Sequence, residues 1–406
     1  MSGFIARHLR TQWNVGQGGF HTGEIELENG SRFTYVYDCG SASKDQPDPA
    51  ITEYLSHLGR SPTIDVVFLS HIDSDHVNGI RDLLAPGRAR ARYVFLPLLS
   101  PLERLAVAAR DEFDPANQFL VDFVVDPTSA LHGLDEGVRV VEIRAGGEPA
   151  TSGDGEGQPL PAGEELIADV TGPPIQPRAG ARRAYEATDA TGLRVLQNGT
   201  PIWLLTLYVA RAVRDRLDSF RAELAALLGL PKHELTAYLR SDTIRDLLVS
   251  NIALLREAYK IVKVDTNQSS LVLLSGPSHG GASERVRLGA QQLLQSTSAR
   301  WLLTGDAELG EADEVNALRA HFGDPDIDVL ALPHHGALKS FDQNLLSPGR
   351  DGRSPELAFA SSGLSHTSWR HPDSNVVKMV TSAGTIPWVV TEDSRSRLSA
   401  VAHPTP

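Results

Sequence analysis

Four side chains that can bind a metal ion lie within six residues of this sequence, in the segment His71-Ile72-Asp73-Ser74-Asp75-His76. Residues two apart in extended backbone project to the same side, so His71 and Asp73 can converge on one ion. If the chain then turns, the adjacent Asp75 and His76 can serve a second position. The alternative is a solvated loop whose histidines bond to backbone, but four ligands in six residues favour a metal site.

Two later segments place similar side chains directly after apolar runs that are typical of strands. Asp306 follows residues 301–305, and its carboxylate could bridge two ions or simply belong to a turn. His334 and His335 follow residues 327–332 and offer imidazole. Because α/β sheets bind ligands at the carboxyl ends of their strands, these side chains can meet at one edge. Imidazole suits zinc and carboxylate suits manganese, so we expect one or two divalent ions, zinc or manganese.

The elements that must position these side chains can be predicted from apolar patterns. Continuous apolar runs of strand length, typical of a sheet covered on both faces, occupy residues 33–38, 64–70, 202–209, 270–274, 300–303, 327–332, 357–360 and 387–390. Residues 213–262 have helical spacing, with Pro231 separating two helices. Residues 145–180 are rich in Gly, Pro, Glu and Asp and predict a long loop. Strands at both ends with helices between and after them indicate a layered α/β fold.

Composition narrows the class of protein. The 406 residues carry a formal net charge of -13, so a polyanionic substrate needs a local cationic centre, which a bound metal ion can supply. The single cysteine, Cys39, excludes an intrachain disulfide and zinc sites built from several cysteines. Since neither a signal-peptide pattern nor an apolar stretch of about 18 residues occurs, we expect a cytoplasmic protein with no membrane association.

Seven motifs, in order, resemble one family. They are Asn14-Val-Gly-Gln-Gly, Asp38-Cys-Gly, SHIDSDHVNG, DTNQSSLVLL, LLTGDAELGE, LPHHGALKS and SSGLSHTSWRHP. The series is similar to the metallo-β-lactamase fold, and most similar to the soluble metal-hydrolase domain of ComEC-type DNA-uptake proteins. The resemblance covers about residues 11–84 and 264–395.

This resemblance implies an α/β fold, a four-layer αββα sandwich with a metal cleft at one edge of its β-sandwich. Residues 1–84 and 264–406 would form the hydrolase domain. Residues 85–263 would be a large insertion that combines the Gly/Pro-rich loop with the helical tract.

The resemblance also implies a role for each site residue. His71 and Asp73 would bind one metal position; Asp75, His76 and one of the pair His334/His335 would bind the other, with Asp306 bridging. Asp38 would orient ligands, and His371 would face the same cleft. Three departures concern the first position. Many members of the superfamily have a histidine where this chain has Asp73 and a further histidine roughly where Asn267 stands, and ComEC-type members often have an aspartate where this chain has Gly19.

A cation held in this way lowers the pKa of bound water and stabilises charge on a phosphodiester. Asp75 could then orient the water and His371 could donate a proton to the leaving group. We therefore expect a metal-dependent phosphodiesterase or nuclease that acts on nucleic acid. Two alternatives are an ester, lactone or thioester hydrolase on the same fold, and a metal-poor module that binds a protein partner, or a second copy, through residues 213–262. Those helices could equally just pack on the core.

Overall fold

A computed structural model describes most of the chain. The described residues are 5–43, 46–110, 113–146, 158, 160, 168–210, 214–262, 269–278, 282–288, 291–296, 298–364 and 371–404.

The protein is α/β. The strands within the described residues are β1 (Ile5–Gln12), β2 (Phe20–Leu27), β3 (Arg32–Cys39), β4 (Thr63–Phe68), β5 (Arg90–Pro97), β6 (Arg139–Arg144), β7 (Ala168–Thr171), β8 (Gln176–Pro177), β9 (Ala184–Thr188), β10 (Gly192–Gln197), β11 (Thr200–Val209), β12 (Leu271–Pro277), β13 (Ala282–Leu288), β14 (Gln291–Ser296), β15 (Trp301–Leu303), β16 (Val329–Ala331), β17 (Leu357–Ser361), β18 (Ile386–Val390) and β19 (Leu398–Pro404).

Helices connect and cover these strands. The α-helices in the same part of the chain are α1 (Asp48–Leu58), α2 (Ser74–Val77), α3 (Ile80–Leu83), α4 (Pro101–Ala108), α5 (Gln118–Val125), α6 (Pro127–Leu134), α7 (Arg214–Leu227), α8 (Leu235–Tyr238), α9 (Ser241–Val249), α10 (Ile252–Val262), α11 (Ala312–His321) and α12 (Ser374–Ser382). Short 3-10 turns lie at Pro333–Gly336, Leu338–Ser340, Gln343–Leu346 and Ser394–Ser396.

The strands form two mixed sheets. The first has the order β14-β13-β19-β1-β2-β3-β4-β5-β6-β9-β8, in which β3, β4, β5, β6 and β9 run parallel and the other pairs are antiparallel. The second has the order β18-β17-β16-β15-β12-β11-β10-β7, in which β15 to β18 run parallel. Each sheet therefore has a parallel half whose carboxyl strand ends lie at a common edge.

Three apolar cores explain why the predicted strands are apolar on both faces. In β4, Val66 and Phe68 point into the core between the sheets, whereas Val67 points into the core under the helices. In β17, Leu357 also faces the core between the sheets. The third core lies between the outer face of the second sheet and helices α11 and α12. Alternation along a strand places successive side chains in different cores, so a continuous apolar run is required.

The helical tract packs against the first sheet. Helices α7, α9 and α10 contribute Leu224, Leu247 and Leu255 to the same core as α4 and α5. As Pro231 predicts, α7 ends before it, at Leu227, and the next helix begins at Leu235. Within the described residues, no helix is long and apolar enough to cross a membrane.

The part of the chain predicted to be an insertion, residues 85–263, contributes strands to the two sheets. Strands β5, β6, β8 and β9 continue the first sheet, and β7, β10 and β11 belong to the second, so residues 85–263 build both sheets. Residues 168–171 and 176–177, expected to be loop, are strands β7 and β8. The physical reason is that a β-ladder needs backbone partners and an alternating face rather than a recognisable motif, so motif resemblance ends before the sheet does. Strands β13, β14 and β19 also lie beyond the predicted set.

Candidate metal centre

The predicted side chains lie in loops at the carboxyl ends of strands from both sheets. The His71–His76 segment follows β4, and Asp306 follows β15. Two backbone hydrogen bonds join these loops to neighbouring segments: the N–H of Leu271 donates to the carbonyl of Ser70 (2.7 Å), and the N–H of His334 donates to that of Gly305 (3.0 Å). The loops of the two sheets therefore meet at one edge of the molecule.

Asp306 is the centre of the cluster. Its Oδ1 lies 3.3 Å from Nε2 of His76 and 3.4 Å from Nε2 of His335. Its Oδ2 lies 3.7 Å from Nε2 of His71 and 3.8 Å from Nε2 of His334. All five side chains are buried. Each carboxylate oxygen thus faces two imidazoles, which is the geometry of a bridging ligand.

Two further carboxylates, Asp75 and Asp73, lie beside different imidazoles of the cluster. Asp75 Oδ2 lies 3.4 Å from His335 Nε2 and 3.9 Å from His76 Nε2. Asp73 Oδ2 lies 3.5 Å from His71 Nε2. We call the group of Asp75, His76 and His335 position A. We call the group of His71, Asp73 and His334 position B.

The ligand atoms are spaced for a metal ion. One atom from each of Asp75, His76 and His335 lies within 4.8 Å of the others, and the same holds for His71, His76 and Asp306. The Nε2 atoms of His71, His76 and His335 are buried, yet none makes a hydrogen bond of normal geometry with a described residue. Buried polar atoms of this kind are uncommon in native proteins, and an ion that they could bind is one explanation for them. The residues present therefore fit a divalent cation bound by imidazole and carboxylate.

Asp38 and Ser70 orient two of the imidazoles. Nδ1–H of His76 donates to Oδ2 of Asp38 (2.8 Å), and Oγ–H of Ser70 donates to the same oxygen (2.7 Å). Since the hydroxyl proton is used there, Nδ1–H of His71 donates to Ser70 Oγ (2.8 Å). The backbone N–H of Ser70 donates to Oδ1 of Asp38 (2.6 Å). Both imidazoles are thus held in the tautomer whose Nε2 lone pair faces the cluster.

Three residues of the cluster and its surroundings have unusual backbone conformations. Asp38, His334 and His335 have φ angles of 57°, 48° and 55°, in the left-handed region that residues other than glycine rarely adopt. Gly19 provides the space beside them: a Cβ there would lie 2.8 Å from Asp38 Cβ and 3.0 Å from His76 Nδ1. A glycine at position 19 is therefore required for Asp38 to approach His76.

Arg110 is a site residue that the sequence did not reveal. Its guanidinium Nη1 donates to Oδ2 of Asp73 in a close ion pair, with both side chains largely buried. Asp73, expected to be a metal ligand, is thus held by a cation of the chain itself and belongs to neither group of closely spaced ligand atoms. Arg110 lies two residues beyond α4, within a segment that carries no motif, so only the tertiary structure brings it to the cluster.

The pKa values of the histidines in the cluster are shifted in different directions. Burial alone would lower the pKa of His76, but Asp306, Asp75 and Asp38 outweigh it and raise this pKa well above its ordinary value. Likewise, burial is outweighed by Asp306 and Asp75 at His335, whose pKa is raised. Burial lowers the pKa of His334 to about 4, against the opposing effect of Asp306. Without a cation, position A therefore binds protons, which a metal ion would displace.

The pKa values of three carboxylates in the cluster are lowered. Burial would raise the pKa of Asp306, but His335, His334 and His76 hold it well below its ordinary value. For Asp73, burial is outweighed chiefly by Arg110, so its pKa is lowered. The pKa of Asp75 is lowered in the same way, through His76 and His335. All three side chains are therefore ionised near neutral pH, as metal ligands must be.

His371 lies at the edge of the cluster. Its ring centroid is 6.0 Å from that of His334 and 6.5 Å from that of His335. The side chain is half-buried, and its backbone carbonyl accepts a hydrogen bond from Ser362 Oγ (2.6 Å). Burial, followed by the charge of His335, lowers the pKa of His371. Asn267, the other residue named from the sequence, lies outside the described residues.

A cavity of about 470 Å³ opens directly beside position B. Its lining comes from residues 41–43, 72–75 and Asn78, and from a second group that consists of Val107, Arg110, Phe113, Asp114, Asn117 and Leu120. Asp306 and His334 form part of its floor. The cluster is therefore accessible from a space large enough for a small molecule.

Comparison with known proteins does not assign this chain to a family. No family model matches it, and no curated protein matches it.

Proposed function

We propose that this protein is a metal-dependent hydrolase of the metallo-β-lactamase type, and that it is a phosphodiesterase. Two facing sheets with helices on both outer faces support a four-layer αββα architecture. The observation that carries the proposal is the position of Asp306, whose two oxygens each face two imidazoles at a shared edge of both sheets.

The cation would be zinc or manganese, and position A is the primary site. Asp75, His76 and His335 would supply three ligand atoms, which is the number that a catalytic zinc site takes from the protein while it keeps a position for water, and Asp306 Oδ1 lies beside them, 3.3 Å from His76 Nε2. Position B has the second oxygen of Asp306 and two imidazoles. The charge of its other carboxylate, Asp73, is already neutralised by Arg110. We therefore expect tight binding of one ion and weaker binding of a second.

When bound, the ion supplies Lewis-acid chemistry and lowers the pKa of a water molecule. The chain supplies the remaining functions. Asp75 is ionised and is the most exposed of the carboxylates, with a side chain that is 21% exposed, so it can accept a proton from an incoming water. Arg110 stabilises the negative charge of a substrate, and His371, whose ring centroid lies 6.5 Å from that of His335, is placed at the edge of the cluster to donate a hydrogen bond to a leaving group.

Arg110 favours a phosphodiester over a neutral ester. A guanidinium binds the non-bridging oxygens of a phosphate well, whereas an ester, lactone or thioester presents no anionic group before reaction. Phosphodiester hydrolysis is therefore the reaction that the site supports best.

The test is hydrolysis with added zinc, manganese or magnesium. Bis(p-nitrophenyl) phosphate, labelled DNA and labelled RNA, each in single- and double-stranded form for the polymers, would be compared with p-nitrophenyl acetate. We expect metal-dependent phosphodiester cleavage that is lost in Asp306→Asn and Asp75→Asn. Asp48→Asn, which replaces an exposed carboxylate outside the cluster, is the matched control.

Three results separate the alternatives. Cleavage that persists in Asp306→Asn would refute the proposed centre. Cleavage of the acetate without cleavage of any phosphodiester would instead indicate an esterase. A folded protein that binds neither zinc nor manganese would refute the proposal that this is a metallohydrolase.

A further inference from the structure

The cavity beside position B has walls of two different origins. Residues 41–43, 72–75 and Asn78 follow β3 and β4, whereas Val107 lies at the end of α4, Leu120 at the start of α5, and Arg110, Phe113, Asp114 and Asn117 between these two helices. Its volume of about 470 Å³ is within the range of small-molecule sites, roughly 300–1,000 Å³. The segment with no recognisable motif therefore determines what can reach the cluster.

Arg110 lies where this cavity meets the cluster. Its side chain is 14% exposed, and its ion pair with Asp73 fixes the guanidinium between the ligands and the open space. A guanidinium has five N–H donors, so it can hold a carboxylate on one edge and a phosphate oxygen on another. An anionic group that enters the cavity therefore meets a cation next to the ligands.

The lining beside Arg110 is partly apolar. Val107, Phe113 and Leu120 contribute apolar side chains to the cavity, and Ser43, Asp114 and Asn117 contribute polar ones. The backbone of Phe113 is fixed, because its N–H donates to the carbonyl of Arg110 (3.3 Å) and its carbonyl accepts from Arg256 (2.9 Å). Planar, weakly polar groups such as nucleobases are bound by aromatic and aliphatic walls with polar groups at their edges.

We propose that this cavity binds one nucleoside unit of a nucleotide phosphodiester, with its base against the Phe113 wall and its phosphate at Arg110. This inference rests on the proposed function and specifies its substrate class. A base inside a duplex is stacked and paired, so it cannot enter the cavity unless it is first extruded. Dinucleotides and single-stranded ends are therefore bound, and intact duplex is not.

Two chromogenic substrates separate the inference from the proposed function. Thymidine 5′-(p-nitrophenyl phosphate) and bis(p-nitrophenyl) phosphate share the leaving group and the phosphodiester, but only the first carries a nucleoside. We expect kcat/KM to be about tenfold or more higher for the thymidine substrate, chiefly through KM, as one bound base contributes.

Substitutions with larger side chains that fill the cavity test whether the nucleoside binds there. Val107→Phe from one wall and Ser43→Trp from the other should each lower the ratio of the two kcat/KM values by about tenfold. Arg110→Gln should raise KM for both phosphodiesters, with partial recovery in Arg110→Lys. Arg245→Gln, which removes an arginine of a surface ion pair with Asp122 on the same helical layer, should change neither.

Binding gives a readout independent of turnover. Titration of the zinc-loaded protein with thymidine 5′-monophosphate should show binding that Val107→Phe and Ser43→Trp weaken by about tenfold. Equal kcat/KM for the two substrates in the wild-type protein, or monophosphate binding unchanged in both filled variants, would overturn the inference. If neither substrate is hydrolysed, the proposed function fails, and the monophosphate titration still decides the cavity.

Discussion

Asp38 accepts a hydrogen bond from Nδ1–H of His76 at 2.8 Å, while Nε2 of the same imidazole faces Asp306 at 3.3 Å. The two residues are 38 positions apart, and the left-handed backbone of Asp38 brings them together. A carboxylate on the far side of a ligating imidazole fixes its tautomer and makes its lone pair a stronger donor to a metal. Position A is therefore prepared for a cation by a residue that does not itself contact one.

Asp38→Asn should weaken zinc binding by about 10- to 100-fold, because an amide is neutral and can present the wrong group to Nδ1. Calorimetric titration of zinc into metal-free protein measures the change. Asp326→Asn, a buried carboxylate bonded to the backbone N–H groups of Asp351 and Arg353, is the control. Equal zinc affinity in wild type and Asp38→Asn would contradict the orienting role.

Gly19→Ala should destabilise the protein by about 1–3 kcal/mol, the usual cost of forcing extra atoms into a packed site. The new methyl group would displace Asp38 or His76, so zinc affinity should fall as well. Gly133→Ala is the matched control, since a Cβ at that position meets no atom within 4 Å. Urea unfolding gives the stability of both variants. A loss no larger than that of Gly133→Ala would mean that the site tolerates the methyl group.

Arg110→Ala should tighten metal binding, in contrast to its effect on substrate. Removing the guanidinium abolishes its repulsion of a cation and releases Asp73 to position B. We expect a gain of about 1–2 kcal/mol, as for a charge pair near a protein surface, and an increase in the number of bound ions. Metal analysis after dialysis measures the stoichiometry. Unchanged affinity and stoichiometry would show that position B does not bind metal.

Metal binding should tighten as pH rises and should release protons. The carboxylates raise the pKa of His76 and His335, so in the metal-free protein both imidazoles keep a proton to higher pH than an ordinary histidine does. Protons must leave before Nε2 can bind a cation, which favours binding at higher pH. Calorimetry at pH 7 in buffers of different ionisation enthalpy counts the released protons. A binding enthalpy that does not depend on the buffer would contradict this expectation.

His21 should make the protein less stable in acid. Burial, with a further contribution from Arg10, lowers the pKa of His21 to about 3 in the folded state. Because the unfolded state binds this proton more readily, stability is full above pH 6.5 and falls as pH decreases below it. Between pH 7 and pH 5 this residue alone should remove about 2 kcal/mol of unfolding free energy.

Urea unfolding of wild type and His21→Gln at the two pH values isolates this contribution. The variant should lose less stability than wild type on acidification, by about the same 2 kcal/mol. His57→Gln, at an exposed histidine, is the control for the introduction of a glutamine. Identical pH dependence in wild type and His21→Gln would refute the assignment.

Several strands and helices could be predicted from the local sequence. The runs at residues 33–38 and 64–70 predict strands that the structure places at Arg32–Cys39 and Thr63–Phe68. The helical tract and its interruption at Pro231 were also predictable, because helical periodicity and the steric effect of proline act over a few residues. The candidate ligands in the His71–His76 segment were identifiable for the same reason: their density is a property of adjacent positions.

Tertiary structure alone decided which of these side chains meet. The ion pair of Arg110 with Asp73, the division of His334 and His335 between the two oxygens of Asp306, and the glycine required at position 19 all depend on contacts between distant segments. So does the addition of residues 85–263 to both sheets. Hydrophobic pattern specifies that a strand or helix must be buried, but partner and register follow from how the whole chain fills its cores.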